Sequence, residues 1–371
     1  MPAKLSISLA RSLSSMSRSN KSNNIDQSTL VLTQVIFRHG HRSPDQKLNY
    51  PGDPYELEPY LPYGRGELTL IGRKQCFAFG QTLRNRYSKF LGPDYVNGLV
   101  EAKSSEISRA RTTLQLVLAG LFPPSSTSKI HDTLNWQPVP FTYKPLKEDA
   151  LIGRAIVNMY QHEDHPEFRK TANSQEVIKC IEEDLKWNVR VQAQCLLLFD
   201  TLKTQIGVGL EMPKWCVEIF PNKLKKEFED FTKHNFARKD FIIGGFGEFI
   251  KEINNIMTQK VEEITRNGEK LPKIFLYSGH DINIAGILSI FKQFDSTKWP
   301  NYMSNITFEL HKIDGEFYVK ILHQNGPEDA KNLSNEEKLN ILKLPNSNEE
   351  MCKLSEFTKH VQEYFPTATK L

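Results

Sequence analysis

The chain has 371 residues, 39% hydrophobic and 25% charged, with 20 Gly and 20 Pro, which is the composition of a folded protein and excludes wholesale disorder or a fibrous repeat. Its formal net charge of +4 is matched by Lys4, Arg11, Arg18 and Lys21 in the first 24 positions, where no acid occurs. The body is therefore neutral, without the clustered Lys and Arg that nucleic-acid binding requires, and no run reaches the roughly 18 apolar residues that would span a bilayer.

In chain order, the Ser-rich, basic segment 1–24 reads as a disordered tail, with an organelle-targeting segment as the alternative. Its apolar stretch "LSISLA" falls short of the roughly 7 to 15 residues of a signal-peptide core. "TLVLTQVIF" (29–37) is nearly continuous in β-branched, aromatic and other apolar residues, as expected of a strand covered on both faces. A proline-rich loop follows, and then "LTLIGRKQCFAFGQTLRNRYSKFL". Here Thr69 is placed as an N-cap, and Cys76, Phe79, Leu83, Tyr87 and Phe90 repeat at helical spacing.

A short strand over 96–105 and a helix over 106–124, ended by Pro123 and Pro124, continue an α/β pattern. From 145 to 240 the sequence is charged and helix-favouring without convincing strands, and we read it as a helical cap inserted into a core made of 25–144 and 241–371. "KIFLYSGHDINIAGIL" (273–288) then reads as strand, turn and helix, and "ITFELHKIDGEFYVKIL" as a hairpin turning at Asp314-Gly315. The expected fold is α/β: a mostly parallel central sheet with helices on both faces, an antiparallel addition, and a smaller, mainly helical cap.

Ligands of open α/β sheets gather beyond the carboxyl ends of the strands. Two segments lie at such ends, "RHGHRSP" and "SGHD". If their strands are neighbours, Arg38, His39, Arg42, His280 and Asp281 converge on one cationic crevice suited to a phosphate monoester, whose oxygens guanidinium groups bind bidentately. A neutral ring nitrogen of His39 could attack phosphorus, and Asp281, the only acid of the second motif, could protonate the leaving alcohol. Taken alone, His39 would more often be a structural histidine, and His280-Asp281 could simply cap a helix; strand-end placement beside two arginines reverses that balance.

A metal site built from His39, His41 and Asp281 is the rival reading, opposed by two arginines that would repel a divalent cation. His41 diverges from His39 on a turning backbone and reads as a modulator of local charge or a surface residue.

"RHGHRSP" matches the R-H-G-x-R-x-P signature of the histidine acid phosphatases, the second branch of the histidine phosphatase superfamily, and "SGHD" resembles their second motif. The resemblance extends over most of 30–360, through "GELTLIGRKQ", "SRARTTLQLVLAGLFPP" and "EMPKW", and is nearest in flavour to the insect venom acid phosphatase-like group. It implies a transiently phosphorylated His39, a phosphate held by Arg38, Arg42 and His280, and protonation of the leaving group by Asp281. It also implies a third phosphate-binding arginine in "SRAR". Residues two apart on a helix point to different sides, and the family spacing to "LFPP" selects Arg109, leaving Arg111 solvated or salt-bridged.

The implied activity is metal-independent hydrolysis of phosphate monoesters, with no cofactor. The alternatives are a phosphatase narrowed to lipid or inositol phosphates and an inactive relative that binds anions or partners. A homodimer stays open. By resemblance the protein is secreted or lysosomal, while the short signal core keeps an intracellular location open. The five cysteines (Cys76, Cys180, Cys195, Cys216, Cys352) form no C-x-x-C pair, and Cys352 lacks the nearby partner expected of the family, so neither a zinc site nor a full disulfide framework is expected. Asn20, Asn305 and Asn332 begin N-x-S/T sequons, which matter only in a secreted chain.

Overall fold

The structure, a computed structural model, describes residues 28–45, 50–55, 58–160, 164–268, 270–327 and 339–367. The expected tail over 1–24 and the sequons at Asn20 and Asn332 lie outside them. The first strand, β1 (Leu30–Arg38), is followed by helix α1 (Leu70–Leu91), strand β2 (Val100–Ser105), helix α2 (Ser108–Leu121) and strand β3 (Thr142–Lys144). Thr69 caps α1 as expected, its hydroxyl accepting from the N–H of Gly72 at 3.2 Å. Helix α2 is shorter than its sequence pattern and ends at Leu121, because Pro123 disfavours helical backbone in the residue before it.

Between 145 and 240 the described residues form α3 (Gly153–Tyr160), α4 (Ala172–Leu185), α5 (Gln192–Gly207) and α6 (Asn222–Ala237), with no strand among them. A separate apolar cluster holds α4 to α5, with Val177, Ile181, Leu198 and Leu202 at its centre and Tyr50 of the proline-rich loop packed in. Helix α7 (Lys239–Thr265) leads back to the sheet through β4 (Ile274–Gly279) and α8 (Asp281–Ile290). The chain closes with β5 (Asn305–Ile313), β6 (Glu316–Gln324), β7 (Asn340–Leu342), β8 (Cys352–Lys353) and α9 (Leu354–Val361).

One eight-stranded sheet runs in the order β3-β2-β4-β1-β5-β6-β7, with β8 paired to β6. The four strands from β3 to β1 are parallel, and β5 to β8 add an antiparallel half beginning at β1. Asp314 (φ 51°) and Gly315 (φ 85°) both adopt the left-handed backbone that a tight two-residue hairpin requires, which is why this pair turns β5 into β6.

Side chains alternate across the strands and so build two cores. Val35 and Phe37 of β1 with Ile274 and Leu276 of β4 meet α1 and α2 on one face. Leu32, Ile36, Phe275 and Tyr277 meet α7, α8 and α9 on the other. Strands buried on both faces need continuous apolar runs, and that is what "TLVLTQVIF" supplies. Asn305 is buried in β5, its amide donating to the Met303 carbonyl at 3.1 Å, so that sequon is sealed inside the sheet.

Candidate active site

Parallel pairing of β1 with β4 sets Arg38 level with Gly279, and the N–H of His39 donates to the Gly279 carbonyl at 3.1 Å. "RHGH" and "GHD" therefore leave adjacent strands at the same height. The turn after β1 is clamped by the first turn of α1. His41 N–H donates to Gln75 Oε1 at 3.1 Å, and the His41 carbonyl accepts from Thr69 N–H at 3.1 Å. This approach tolerates no side chain on either glycine: a Cβ on Gly40 would lie 2.6 Å from the Gly72 carbonyl oxygen, and one on Gly72 would lie 2.0 Å from that of His41.

His39 is buried, and its partners fix its tautomer. The Gly40 carbonyl can only accept, so Nδ1–H donates to it at 2.9 Å. A guanidinium can only donate, so Nε2 accepts from Arg109 Nε at 3.1 Å. The ring is thus neutral, with the lone pair on Nε2 facing the arginines. Burial, reinforced by the charges of Arg109, Arg38, His280 and Arg42, pushes its pKa well below the usual imidazole value. The same burial and the same arginines depress His280, whose Nε2 is 2.8 Å from the Ser105 hydroxyl and whose ring centroid is 5.4 Å from that of His39.

The structure brings Arg38, His39, Arg42, Arg109, His280 and Asp281 together, and each arginine meets a carboxylate. Arg38 Nη2 is 2.8 Å from Asp281, Arg42 Nη2 is 2.8 Å from Asp200, and Arg109 Nη1 is 3.0 Å from Asp45. For Asp281, burial would raise the carboxyl, but Arg38, the Trp299 indole, Arg42 and the Ile282 N–H outweigh it and hold the pKa below the ordinary carboxylate range. Arg42 is likewise penalised by burial, and Asp200 together with Tyr302 and Asp45 more than compensates, so its positive charge is secure.

The arginines form the floor of a cleft of about 1200 Å³, walled by the proline-rich loop, the start of α1, helices α5 and α6, and the loop carrying Trp299 and Tyr302. Tyr302 lies under the Arg38 guanidinium, 4.2 Å from ring centroid to Cζ. Among the described residues no group of three or more His, Cys, Asp or Glu side chains could hold a metal, and no helix is long and apolar enough to cross a membrane.

A model of the histidine phosphatase superfamily (branch 2) matches residues 29–196 and 243–324. The chain belongs to that superfamily branch. Venom acid phosphatase Acph-1 of Apis mellifera is 31% identical over 354 residues, spanning 93% of this chain and 88% of the relative. Prostatic acid phosphatase of Bos taurus is 30% identical, spanning 80% and 77%. Among solved structures, the phytase of Klebsiella sp ASR1 superposes with a TM-score of 0.63 at 14% identity, covering 92% of this chain and 98% of that one, which speaks to fold alone.

Within this histidine phosphatase chain, Arg111 points away from the cleft and stacks over Tyr143 at 4.8 Å, so its partner is an aromatic ring and not an acid. His41 departs from the surface placement considered for it. It is buried, its Nδ1 lies 2.8 Å from the Thr69 hydroxyl, and its ring packs against Tyr302 at 5.0 Å. Burial and the charges of Arg42 and Arg38 lower its pKa to about 4.

Sequence reasoning missed Asp45, Asp200, Ser105, Trp299 and Tyr302. Asp45 directly follows "RHGHRSP" and could have been flagged as the first acid beyond the arginines. Asp200 sits on α5, 158 positions from Arg42, on a helix with no local signal pointing at the sheet.

Proposed function

We propose that the protein is an acid phosphatase that hydrolyses phosphate monoesters through a phosphohistidine on His39, without a metal. The observation that carries this reading is the neutral, tautomer-fixed imidazole of His39, its Nε2 lone pair held among Arg38, Arg42 and Arg109. An imidazole buried among three guanidinium groups stays unprotonated in acid, so the nucleophile survives at pH values where a solvent-exposed histidine would be blocked. Asp281, Asp200 and Asp45 are each taken up by one of these arginines, and the guanidinium groups beside them disfavour a divalent metal at the floor of the cleft.

The phosphoryl oxygens take the guanidinium donors of Arg38, Arg42 and Arg109, with His280 beside them. Nε2 of His39 then attacks phosphorus in line with the ester oxygen: the N–P bond forms and the P–O bond to the alcohol breaks. The departing oxygen takes the carboxyl proton of Asp281. Asp281 holds no proton easily while Arg38 faces it, but a bound phosphate draws Arg38 away and puts negative charge beside the carboxyl. Both changes raise its pKa in the complex, and substrate that arrives protonated in acid can supply the proton. In the second half, Asp281 as carboxylate takes a proton from water as the water oxygen attacks phosphorus, the N–P bond breaks, and inorganic phosphate leaves. The helices of 145–240 act as a cap that closes the cleft over this chemistry.

The test is hydrolysis of an aryl phosphate from pH 3 to 8, with and without chelator, by wild type and His39→Ala. The expected result is chelator-insensitive turnover and a ³²P label that stays on alkali-quenched wild type but not on the variant. Loss of activity on chelation, or undiminished turnover by His39→Ala, would overturn the mechanism.

A further inference from the structure

The cleft has two chemical characters, and the proposed phosphatase reaction uses only one. Its floor is cationic and buried, with Arg38, Arg42 and Arg109 at the bottom. Its walls carry large apolar side chains left open to water: Leu61 at 60% exposure, Leu70 at 55%, Ile206 at 39% and Tyr63 at 36%. These come from three separate segments, the proline-rich loop, the first turn of α1 and the last turn of α5, yet all line this one cleft. Exposed apolar side chains scattered singly need no explanation, whereas a set gathered around a ligand-sized cleft marks a binding surface. The volume of about 1200 Å³ exceeds that of ordinary small-molecule sites, which run to about 1,000 Å³, and leaves room well beyond a phosphoryl group.

Resting on the phosphatase reading, we infer that the preferred substrates are amphiphilic phosphate monoesters with a single hydrocarbon chain, the phosphate on the arginine floor and the chain along Leu61, Tyr63, Leu70 and Ile206. Charge complementarity fixes which end goes in first, since Arg38, Arg42 and Arg109 gather at the bottom while Leu61, Leu70 and Ile206 stand open along the walls.

Two other ligand chemistries are less favoured by the walls. A polyanion would need further unpaired cations, but Lys225 is 3.3 Å from Glu229 and Lys298 is 3.6 Å from Asp295, leaving Lys203 as the wall lysine without an ion-pair partner among the described residues. An extended phosphopeptide could place its phosphate on the same arginines, but its polar backbone would then lie along the apolar side chains of Leu61, Leu70 and Ile206, a poorer match than a hydrocarbon chain.

The experiment uses two series on the full chain, n-alkyl phosphates for turnover and non-hydrolysable n-alkyl phosphonates for binding by calorimetry, from butyl to decyl and below their micelle concentrations. The expected result is that kcat/KM and phosphonate affinity both rise about fourfold per added methylene until the walls are covered. In the Leu61→Ser/Leu70→Ser/Ile206→Ser variant, shown folded by its melting curve, the decyl-to-butyl ratio should collapse towards one.

Chain-length independence of both series in wild type would overturn the inference. So would an unchanged ratio in the variant, or a higher kcat/KM for an alkane bisphosphate or a phosphopeptide than for decyl phosphate. Chain-length-dependent phosphonate binding without turnover of any ester would support the apolar cleft and overturn the phosphatase reading; turnover with flat phosphonate affinity would do the reverse.

Discussion

Replacing Gly72 by alanine should unfold the site from a position that touches no substrate. In an ordinary helix interior Gly→Ala stabilises by about 0.5–1 kcal/mol, because glycine has more backbone freedom to lose. Here the new methyl would stand 2.0 Å from the carbonyl oxygen of His41, 2.8 Å from its nitrogen and 2.9 Å from its carbonyl carbon. All three are backbone atoms that cannot rotate aside. Restoring an ordinary contact of 3.4 Å demands a displacement of about 1.4 Å between α1 and the turn that carries His39, Arg42 and the His41 clamp. Overpacking of this kind costs about 1–3 kcal/mol, so the sign of the usual substitution reverses. A shift of about 1 Å in a reacting group lowers turnover about a hundredfold. Urea unfolding and p-nitrophenyl phosphate kinetics of Gly72→Ala should therefore show a lower midpoint and a kcat reduced about a hundredfold. Gly268→Ala, where a Cβ meets nothing within 4 Å, serves as the control and should behave as wild type. A Gly72→Ala protein as stable and as active as wild type would refute the view that this helix-to-turn contact positions His39, the proposed nucleophile.

Other expectations follow from the same geometry. His39→Ala should lose at least about a thousandfold in kcat, while His41→Gln should lose less than tenfold, with the pH-rate profile showing no inflection at 6.5 for either wild type or His41→Gln. Asp200→Asn should tighten inhibition by inorganic phosphate about five- to tenfold, since Arg42 then faces no competing carboxylate; the pair is partly solvated, which moderates the gain. Stability of the substrate-free protein should fall with acid. The depressed pKa values of His39, His41, His280 and His323 mean that the unfolded chain binds more protons below pH about 6.5, each ring costing up to about 1.4 kcal/mol per pH unit. The depressed Asp281 carboxyl adds a further loss at still lower pH. Melting curves from pH 7.5 to 4 should show this decline, and added phosphate should lessen it; a melting temperature that rises as pH falls would count against neutral buried rings. Asp281→Asn should slow alkyl esters more than aryl esters, whose leaving groups need less protonation, and equal slowing in the two series would count against the acid role.

What could be read from the sequence follows the range over which each signal acts. The apolar run of β1, the Thr69 cap and the Asp314-Gly315 turn are local and were readable from a few residues each. The nearness of "RHGH" to "SGHD", more than two hundred residues apart, was readable only because both sit at strand ends of one sheet type, where register converts a pattern into a distance. The antiparallel half of the sheet extends further than its sequence pattern suggests, because β7 and β8 are two or three residues long and carry no periodicity. Asp200 was invisible for a similar reason: what selects it is the tertiary approach of α5 to Arg42, 158 positions away, and no residue near Asp200 encodes that approach. The burial of His41 escaped because adjacent side chains on a turn do diverge, but here the second direction leads into Thr69 and Tyr302 and not into water.

The pairing of Arg38, Arg42 and Arg109 with Asp281, Asp200 and Asp45 bears on how the enzyme lets go. An arginine cradle with no resident acids would grip inorganic phosphate as firmly as substrate and stall on its own product. With a carboxylate within 3.0 Å of every guanidinium, each binding event is an exchange of one anion for another, and its free energy is a difference between two similar ion pairs. On the proposed mechanism, once the phosphoryl group has been transferred to water three carboxylates stand ready to retake the arginines, so departure of the product needs no lasting exposure of bare cations. On that mechanism, the acids that pair with the arginines are the parts that keep the site turning over.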